Sequence, residues 1–241
     1  MRKLAFGLAL VAAGCTPVVV PAPQTASGNT TTTVQAAPVG PPVSEASAKA
    51  NFAAVVRTVE PVAEQECRRR APRLNCDFRI MVDDRPGVPA NAFQTVDGAG
   101  RPILVFTVPL LREARNRDEV AFVMAHEAAH HIAGHLQRTR TTATLGALAG
   151  GALATALGGG DPAAIEAAQR IGATVGARSF SKEQELEADA LGTIIAARAG
   201  YDPLKGGQLF FRIPDPGDRF LGSHPANADR LRTVQRVAAG L

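Results

Sequence analysis

The amino-acid sequence predicts an α+β fold, mainly helical, with a small antiparallel β-sheet beside a histidine-rich helix. Apolar residues recur at helical spacing in several long segments, which indicates helices with one buried face. Three short runs of strand-forming residues, separated by turn residues, lie between residues 78 and 108 and indicate strands. The chain has 241 residues, of which 46% are hydrophobic, enough for one good core. We therefore expect one folded domain, over residues 45–241.

The first 44 residues are expected to precede that domain. Residues 1–15 consist of a basic start and an apolar run, too short to span a bilayer, that ends in Ala-Ala-Gly-Cys. This pattern resembles a bacterial lipoprotein signal, in which Cys15 is lipidated after cleavage; ordinary signal-peptidase cleavage is the alternative, because Ala12 is weaker there than Leu. Residues 16–44 carry no charge and many Pro, Thr and Ala, which is typical of a flexible tether. Thr16 favours the outer membrane by the same resemblance, so we expect a periplasmic protein anchored there.

The folded domain is expected to open with a helix over residues 44–70, kinked or broken at Pro61 because proline lacks the backbone N–H. Cys67 and Cys76 follow closely on one another. In an oxidising compartment we expect them to form a structural disulfide, the alternative being two free thiols.

Three strands are expected next, and turn residues separate them. The last two form a hairpin, since Asp97-Gly98-Ala99-Gly100 joins them. A short helix then follows at residues 110–115. The strands lie at residues 78–82, 92–96 and 103–108.

The segment V-M-A-H-E-A-A-H-H-I-A-G-H, residues 123–135, carries the chemistry. It contains His126, Glu127 and His130 in the pattern H-E-x-x-H. Residues four apart on a helix point the same way, so both imidazoles can reach one metal ion, with the glutamate placed as a general base toward water. Four of the five histidines of the chain lie here, which argues against chance spacing. The helix is expected to begin near residue 118 and to run to about residue 138.

Residues 141–160 are uncharged and long enough to be tested as a membrane span. Their Ala, Gly and Thr content makes insertion only weakly favourable, so we favour a helix or mobile loop packed over the active-site side. Ser181 and Gln184 have the spacing of a capping box at the start of a later helix. The remaining helices are expected at residues 163–177, 182–199, 203–211 and 226–239.

A catalytic zinc site needs a third protein ligand from elsewhere in the chain. The acidic start of the helix at 182–199 offers Glu183, Glu185 and Glu187, and spacing alone leaves all three open. Asp189 lies four residues after the second of these and is placed to orient a histidine. Small residues beside them, including Gly192, would allow this helix to approach the histidine helix closely.

These motifs, in this order, resemble the zincin metallopeptidase family of the CAAX prenyl endoprotease and its bacterial heat-shock and periplasmic relatives. The resemblance covers about residues 46 to 236, with Pro109 standing where the family has glycine. It rests on Asn91-Ala92-Phe93, Leu110-Leu111, Asp118-Glu119, His126-Glu127-x-x-His130, Glu185-x-x-Ala188-Asp189, Ser223-His224-Pro225 and Arg230.

The resemblance implies roles for these residues. It selects Glu185 as the third ligand of one Zn²⁺ per chain, beside His126 and His130. Asp189 and Arg230 would support the site from behind. His224 would face the metal, either as a catalytic residue or as an inhibitory ligand.

The function that follows is a zinc metalloendopeptidase with Glu127 as general base, which acts on unfolded or misfolded envelope proteins. We expect Asn91 and the strand containing Val105 to bind an extended substrate by strand addition. One tyrosine, no tryptophan and a net charge of +4 argue against a nucleic-acid partner. A latched, zinc-binding, chaperone-like lipoprotein is the alternative, and a zinc hydrolase for non-peptide substrates is a third hypothesis.

Overall fold

The structure, a computed structural model, describes residues 41–158, 161–177, 180–212 and 226–241, with only the backbone described for residues 157–158 and 171–177. The α+β fold class is confirmed. The expected lipidation site Cys15, most of the expected tether and His224 lie outside the described residues. The elements are α1 (Glu45–Arg70), β1 (Arg79–Asp83), β2 (Ala92–Val96), β3 (Pro102–Thr107), α2 (Val108–Glu113), α3 (Arg117–Ile132), α4 (His135–Gly158), α5 (Pro162–Ala177), α6 (Lys182–Arg198), α7 (Pro203–Gly206), a 3₁₀ turn (Gly207–Phe211) and α8 (Asn227–Ala238).

Helix α1 continues through Pro61, so the expected break is absent. An internal proline costs a helix about 3 kcal/mol. That cost is offset because Val55, Val59 and Ala63, on either side of the proline, are fully or almost fully buried in the core. The last turn is held by Glu66, a buried carboxylate that accepts from Arg70 at 2.9 Å and also from Arg198 on α6.

The sheet is mixed, with strand order β1-β3-β2. Strands β2 and β3 form the expected antiparallel hairpin, with Phe93 opposite Val105. Strand β1 runs parallel to β3, however, with Met81 opposite Val105, so the expectation of an entirely antiparallel sheet is wrong for β1. The cause is that the chain leaves β1, crosses to the far edge as β2 and returns through the centre as β3. The central strand carries Leu104 and Phe106 into the core.

The histidine helix is shorter than expected. Helix α3 ends at Ile132, and Gly134 has a backbone φ of +69°, a left-handed conformation that glycine adopts without strain. The chain restarts as α4 at His135, so the expected single helix to residue 138 is wrong. The expected region 141–160 is helical up to Gly158 and packs against α5. Within the described ranges, none of the helices has the length and apolar character needed to cross a bilayer.

Helix α6 begins as expected. The Ser181 side chain accepts from the Gln184 N–H, and the Gln184 side chain accepts from the Ser181 N–H, which completes a capping box. Packing of α6 against α3 is close, because a Cβ built on Gly192 would lie only 3.0 Å from the backbone nitrogen of His126. The absence of a side chain at residue 192 therefore sets the distance between the two helices.

A disulfide joins Cys67, at the end of α1, to Cys76, with a Cα separation of 5.7 Å. The loop that it closes also contacts the histidine helix. His131 Nε2 lies 2.8 Å from the carbonyl oxygen of Asn75, and its ring packs edge-on against Phe78. The disulfide loop thus supports α3 on the side away from α6.

Candidate metal centre

Three buried side chains from two helices converge on one point. His126 and His130 lie one turn apart on α3, and their Nε2 atoms are 3.0 Å apart. Glu185, in the first turn of α6, places Oε2 at 3.6 Å from His126 Nε2 and Oε1 at 3.6 Å from His130 Nε2. The H-E-x-x-H spacing and the approach of α6 together produce this cluster.

The spacing of the three ligand atoms fits zinc. Zinc binds imidazole nitrogen and carboxylate oxygen at about 2.0–2.2 Å in tetrahedral geometry, which puts neighbouring ligand atoms about 3.3 Å apart. The two Nε2 atoms are 3.0 Å apart, and each has a different oxygen of Glu185 at 3.6 Å, so these separations are close to that value. Two imidazoles and one carboxylate are also the donor set of a catalytic zinc site with a fourth position for water.

Asp189 and Arg230 hold His126 from behind. Asp189 Oδ1 lies 2.9 Å from His126 Nδ1, so the ring donates there and turns its Nε2 toward the metal position. Arg230 donates to both oxygens of Asp189, from Nε at 2.8 Å and from a terminal nitrogen at 2.7 Å. The guanidinium lies 4.1 Å from the centre of the Phe210 ring, which fixes its plane. Arg230, from α8, thus locks the carboxylate that orients the ligand.

The electrostatics separate the two histidines. Burial lowers the pKa of His126, but hydrogen bonds to Asp189 and Glu185 outweigh burial and raise the pKa to about 9. Burial, followed by the charge on His126, lowers the pKa of His130 to about 2. Burial raises the pKa of Asp189, but Arg230 and His126 outweigh it and hold the pKa below its ordinary value. In the metal-free protein these shifts favour the charged form of His126 and the neutral form of His130, and a bound metal ion would displace the additional proton of His126.

His130 has surroundings that the sequence did not reveal. Phe180 stacks on its ring with centroids 4.0 Å apart, and His135 lies at the ring edge with the two Nδ1 atoms 2.7 Å apart. Neither residue belongs to the H-E-x-x-H pattern. The only sequence signal was the fourth histidine of the segment, at residue 135.

The cluster opens into a cavity of about 580 Å³ whose lining is mostly apolar. Glu127 lines it beside the metal ligands. The cavity also reaches the hairpin, where Asn91 contributes to its wall. The remaining lining includes Phe93, Leu110, Phe122, Val123, Leu136, Leu209 and Phe210.

Strand β2, and not β3, borders this cavity. Val105 pairs with Met81 on one side and with Phe93 on the other, so its backbone groups already belong to the sheet. The expectation that Val105 binds substrate by strand addition is therefore wrong, because β3 is the central strand. Among the described residues, no element pairs with the outer edge of β2. Asn91 is bonded through its backbone to Thr107, at 2.8 and 3.0 Å, and closes the end of the hairpin.

The three candidate glutamates of α6 have separate positions. Glu185 is buried between the two histidines, with 2% of its surface exposed. Glu183 faces solvent on the first turn. Glu187 accepts from Arg138 at 2.8 Å and lies 3.2 Å from His135 Nε2. Geometry thus selects Glu185 as the candidate third ligand.

The fold and the ligand set define the class: a zincin-type metallopeptidase domain, with one metal position between a helical H-E-x-x-H motif and a glutamate of a second helix. The chain belongs to peptidase family M48, whose sequence model matches residues 49–238. Members of this family use zinc, and the side chains present fit it. The resemblance of the motifs to this metallopeptidase family is confirmed.

The chain is similar to a bacterial protease and to a mitochondrial metalloendopeptidase. Over 136 residues the chain is 36% identical to a protein of Vibrio cholerae serotype O1 named beta-barrel assembly-enhancing protease, covering 51% of this chain and 28% of that protein. Over 171 residues it is 26% identical to the mitochondrial metalloendopeptidase OMA1 of Saccharomyces cerevisiae, covering 66% of this chain and 46% of that protein. The matched part thus spans less than half of either relative.

Proposed function

We propose that this protein is a zinc-dependent metalloendopeptidase of the bacterial cell envelope that cleaves unfolded or misassembled proteins. One observation carries the proposal. His126, His130 and Glu185 meet at zinc-ligand distances inside a cavity that also contains Glu127 and that adjoins the outer edge of a β-strand. An acid-base group, a metal position and a binding edge for peptide backbone are thereby combined in one place.

The residues of the chain divide the work of peptide hydrolysis. His126, His130 and Glu185 would hold the zinc ion, which when bound would act as a Lewis acid on the scissile carbonyl and would lower the pKa of its water from 15.7 to about 7. A carboxylate oxygen of Glu127 accepts a proton from the attacking water and then donates it to the leaving amine. Asp189 and Arg230 keep His126 in the orientation that presents Nε2. The apolar cavity wall limits competing water around the reacting carbonyl.

Substrate recognition is proposed to use the outer edge of β2. In an antiparallel pair, successive residues direct their backbone N–H and C=O groups alternately toward the partner strand and away from it. Asn91 and Phe93 direct these groups toward β3, so those of Ala92 and Gln94 face the outer edge of β2. An extended peptide can pair with these groups and pass along the cavity. Because this pairing uses main-chain atoms, it favours unfolded segments over one strict sequence. Asn91, in the cavity wall, would contact such a peptide.

The cellular setting is inferred from the N-terminal sequence and the relatives. We propose that residues 1–15 are a signal with Cys15 as the lipidated residue, that residues 16–44 form a tether to the outer membrane, and that residues 45–241 are the peptidase domain. The name of the Vibrio cholerae relative supports envelope proteins as substrates. The active domain would then work in the periplasm within reach of the membrane.

His224 is proposed, by the family resemblance, to act at the open side of the metal. A catalytic role and an inhibitory one predict opposite results for His224→Ala in a peptidase assay. A fall in activity indicates stabilisation of the transition state, and a rise indicates an inhibitory ligand. A latched, chaperone-like protein would correspond to the second outcome.

The proposal is tested by digestion of an unfolded protein such as casein by the zinc-loaded protein, with and without a chelator. Glu127→Gln should lower the turnover rate by about 10²- to 10⁴-fold, because the general base is lost. Its zinc content should remain one per chain, since Glu127 is not among the ligands. Glu183→Gln is the matched control: it makes the same chemical change on the exposed face of α6 and should leave the rate unchanged. Full activity of Glu127→Gln, or wild-type activity that survives zinc removal, would refute the mechanism.

A further inference from the structure

His135 stands behind one of the metal ligands. It is fully buried, and its Nδ1 lies 2.7 Å from Nδ1 of His130. Its other nitrogen, Nε2, lies 3.2 Å from a carboxylate oxygen of Glu187. Arg138 donates to that same oxygen at 2.8 Å. A continuous line of polar contacts therefore runs from the metal position to the surface of α6.

When metal is bound, the contacts from His130 through His135 to Glu187 permit only one arrangement of the ring protons. His130 uses the Nε2 lone pair for the metal, so its proton resides on Nδ1. A 2.7 Å contact between two ring nitrogens needs one donor and one acceptor, so Nδ1 of His135 is unprotonated. The remaining proton of His135 is on Nε2, where Glu187 accepts it. Glu187 thus selects the form of His135 that can accept from His130.

The break between α3 and α4 creates this contact. On a straight helix, residues five apart are separated by about 140° around the axis and about 7.5 Å along it. Their side chains would then point to different sides. Gly134, with φ of +69°, turns the chain so that His135 faces back toward His130. The left-handed glycine is therefore the backbone feature that delivers His135 to the site.

The two metal-binding histidines are supported differently. His126 donates directly to the carboxylate of Asp189, which is fully buried. His130 has a neutral ring as its acceptor, and the carboxylate behind that ring is half exposed. A metal-bound histidine without a partner for its second nitrogen is free to rotate, and loss of such a partner typically weakens metal binding about 10- to 100-fold.

We propose that His135, held by Glu187, is the positioning residue of His130, which it fixes in the Nδ1–H form with Nε2 toward the metal. The inference rests on the proposed metal site and adds to it two residues outside the H-E-x-x-H pattern. His135 touches neither substrate nor metal. Its effect is on zinc affinity and on the orientation of one ligand.

The test compares two variants of nearly equal shape. In His135→Asn, the amide oxygen takes the place of Nδ1 and can still accept from His130. In His135→Leu, the acceptor is removed and the branched shape is kept. Competition with a chromophoric chelator should give His135→Leu a zinc Kd about 10- to 100-fold above that of the wild type, with His135→Asn recovering most of the loss. Equal Kd values for the two variants would overturn the proposal.

A second measurement keeps the proposal testable where the variants fold poorly. Long-range ¹H–¹⁵N correlation spectra of the zinc-loaded wild-type protein, labelled at histidine, report which ring nitrogen carries the proton. We expect the Nδ1–H form for His130 and the Nε2–H form for His135. A proton on Nδ1 of His135 would overturn the proposal.

Failure of the proposed function gives a different result. If the wild type binds one zinc with these proton positions and does not digest casein, the peptidase proposal fails and the positioning role stands. If the wild type binds no zinc, the inference is overturned together with the metal site.

Discussion

Gly192→Ala tests whether the distance between α3 and α6 controls the metal site. A Cβ at residue 192 would lie 3.0 Å from the nitrogen and 3.1 Å from the Cα of His126, against about 3.5–4.0 Å for an ordinary contact. Both atoms belong to the backbone of α3, so no side-chain rotation relieves the contact. The helices must separate by about 0.5 Å. One carries His126 and the other carries Glu185.

The magnitude follows from two opposing effects. Overpacking costs about 1–3 kcal/mol, while replacement of a helical glycine by alanine returns about 0.5–1 kcal/mol. We expect the metal-free variant to lose about 1–2 kcal/mol in urea unfolding. Zinc ligands tolerate displacements of only about 0.2 Å, so zinc binding must pull the helices back together. If pulling the helices together restores about 1.4 kcal/mol of strain, the zinc Kd rises about tenfold.

The matched control is Gly206→Ala. Its Cβ would lie 2.5 Å from Phe122 Cβ and 2.9 Å from the Asp118 carbonyl oxygen, a tighter contact that lies between α3 and α7. This variant should lose at least as much stability as Gly192→Ala, with the zinc Kd changed less than about threefold because Glu185 is not displaced. Urea unfolding measures the stability of both variants, and competition with a chelator measures their zinc Kd values. A wild-type zinc Kd for Gly192→Ala would refute the reasoning.

Two further predictions concern the support of the site. Metal-free Asp189→Asn should be less stable than the wild type by about 3 kcal/mol, since buried Arg230 loses its two-point carboxylate partner and keeps only Glu185, at 3.7 Å. Because the pKa of Asp189 is depressed, its contribution to stability is fully present above its ordinary pKa of 3.8 and is lost as the pH falls below that value. The difference in unfolding free energy between the two proteins should therefore shrink at low pH. A difference that is independent of pH would contradict this. Replacement of Cys67 and Cys76 by serine opens a loop with a sequence separation of 9 and should cost about 3 kcal/mol of unfolding free energy. A reducing agent should lower the thermal midpoint of the wild type alone, and an equal shift in the double variant would count against the disulfide.

Local periodicity explains why much of the fold was predictable. The helical segments, the β2–β3 hairpin and the capping box at Ser181 depend on residues within a few positions of one another. The predictions that differ from the structure depend on contacts between distant segments or on a local signal that burial outweighs. Pro61 was expected to kink or break α1; the helix does not break there, because its neighbours are buried in the core. Strand β1 was placed in an antiparallel sheet, and only the path of the chain around β3 makes it parallel.

The sequence by itself determined the pair of histidines and the glutamate between them, because a spacing of four on a helix fixes the face on which His126 and His130 lie. The tertiary structure decided which of three glutamates joins them. It also decided that β2, and not β3, has a free edge beside the cavity among the described residues. The turn at Gly134, finally, brings His135 into contact with His130. Helical spacing acts over one or two turns. The approach of α6 to α3 and to the start of α4 depends instead on packing between segments about 50 or more residues apart, as the contact of His135, in α4, with Glu187 at a separation of 52 illustrates. No local pattern encodes such a distance, and the metal centre is complete only when the two helices meet.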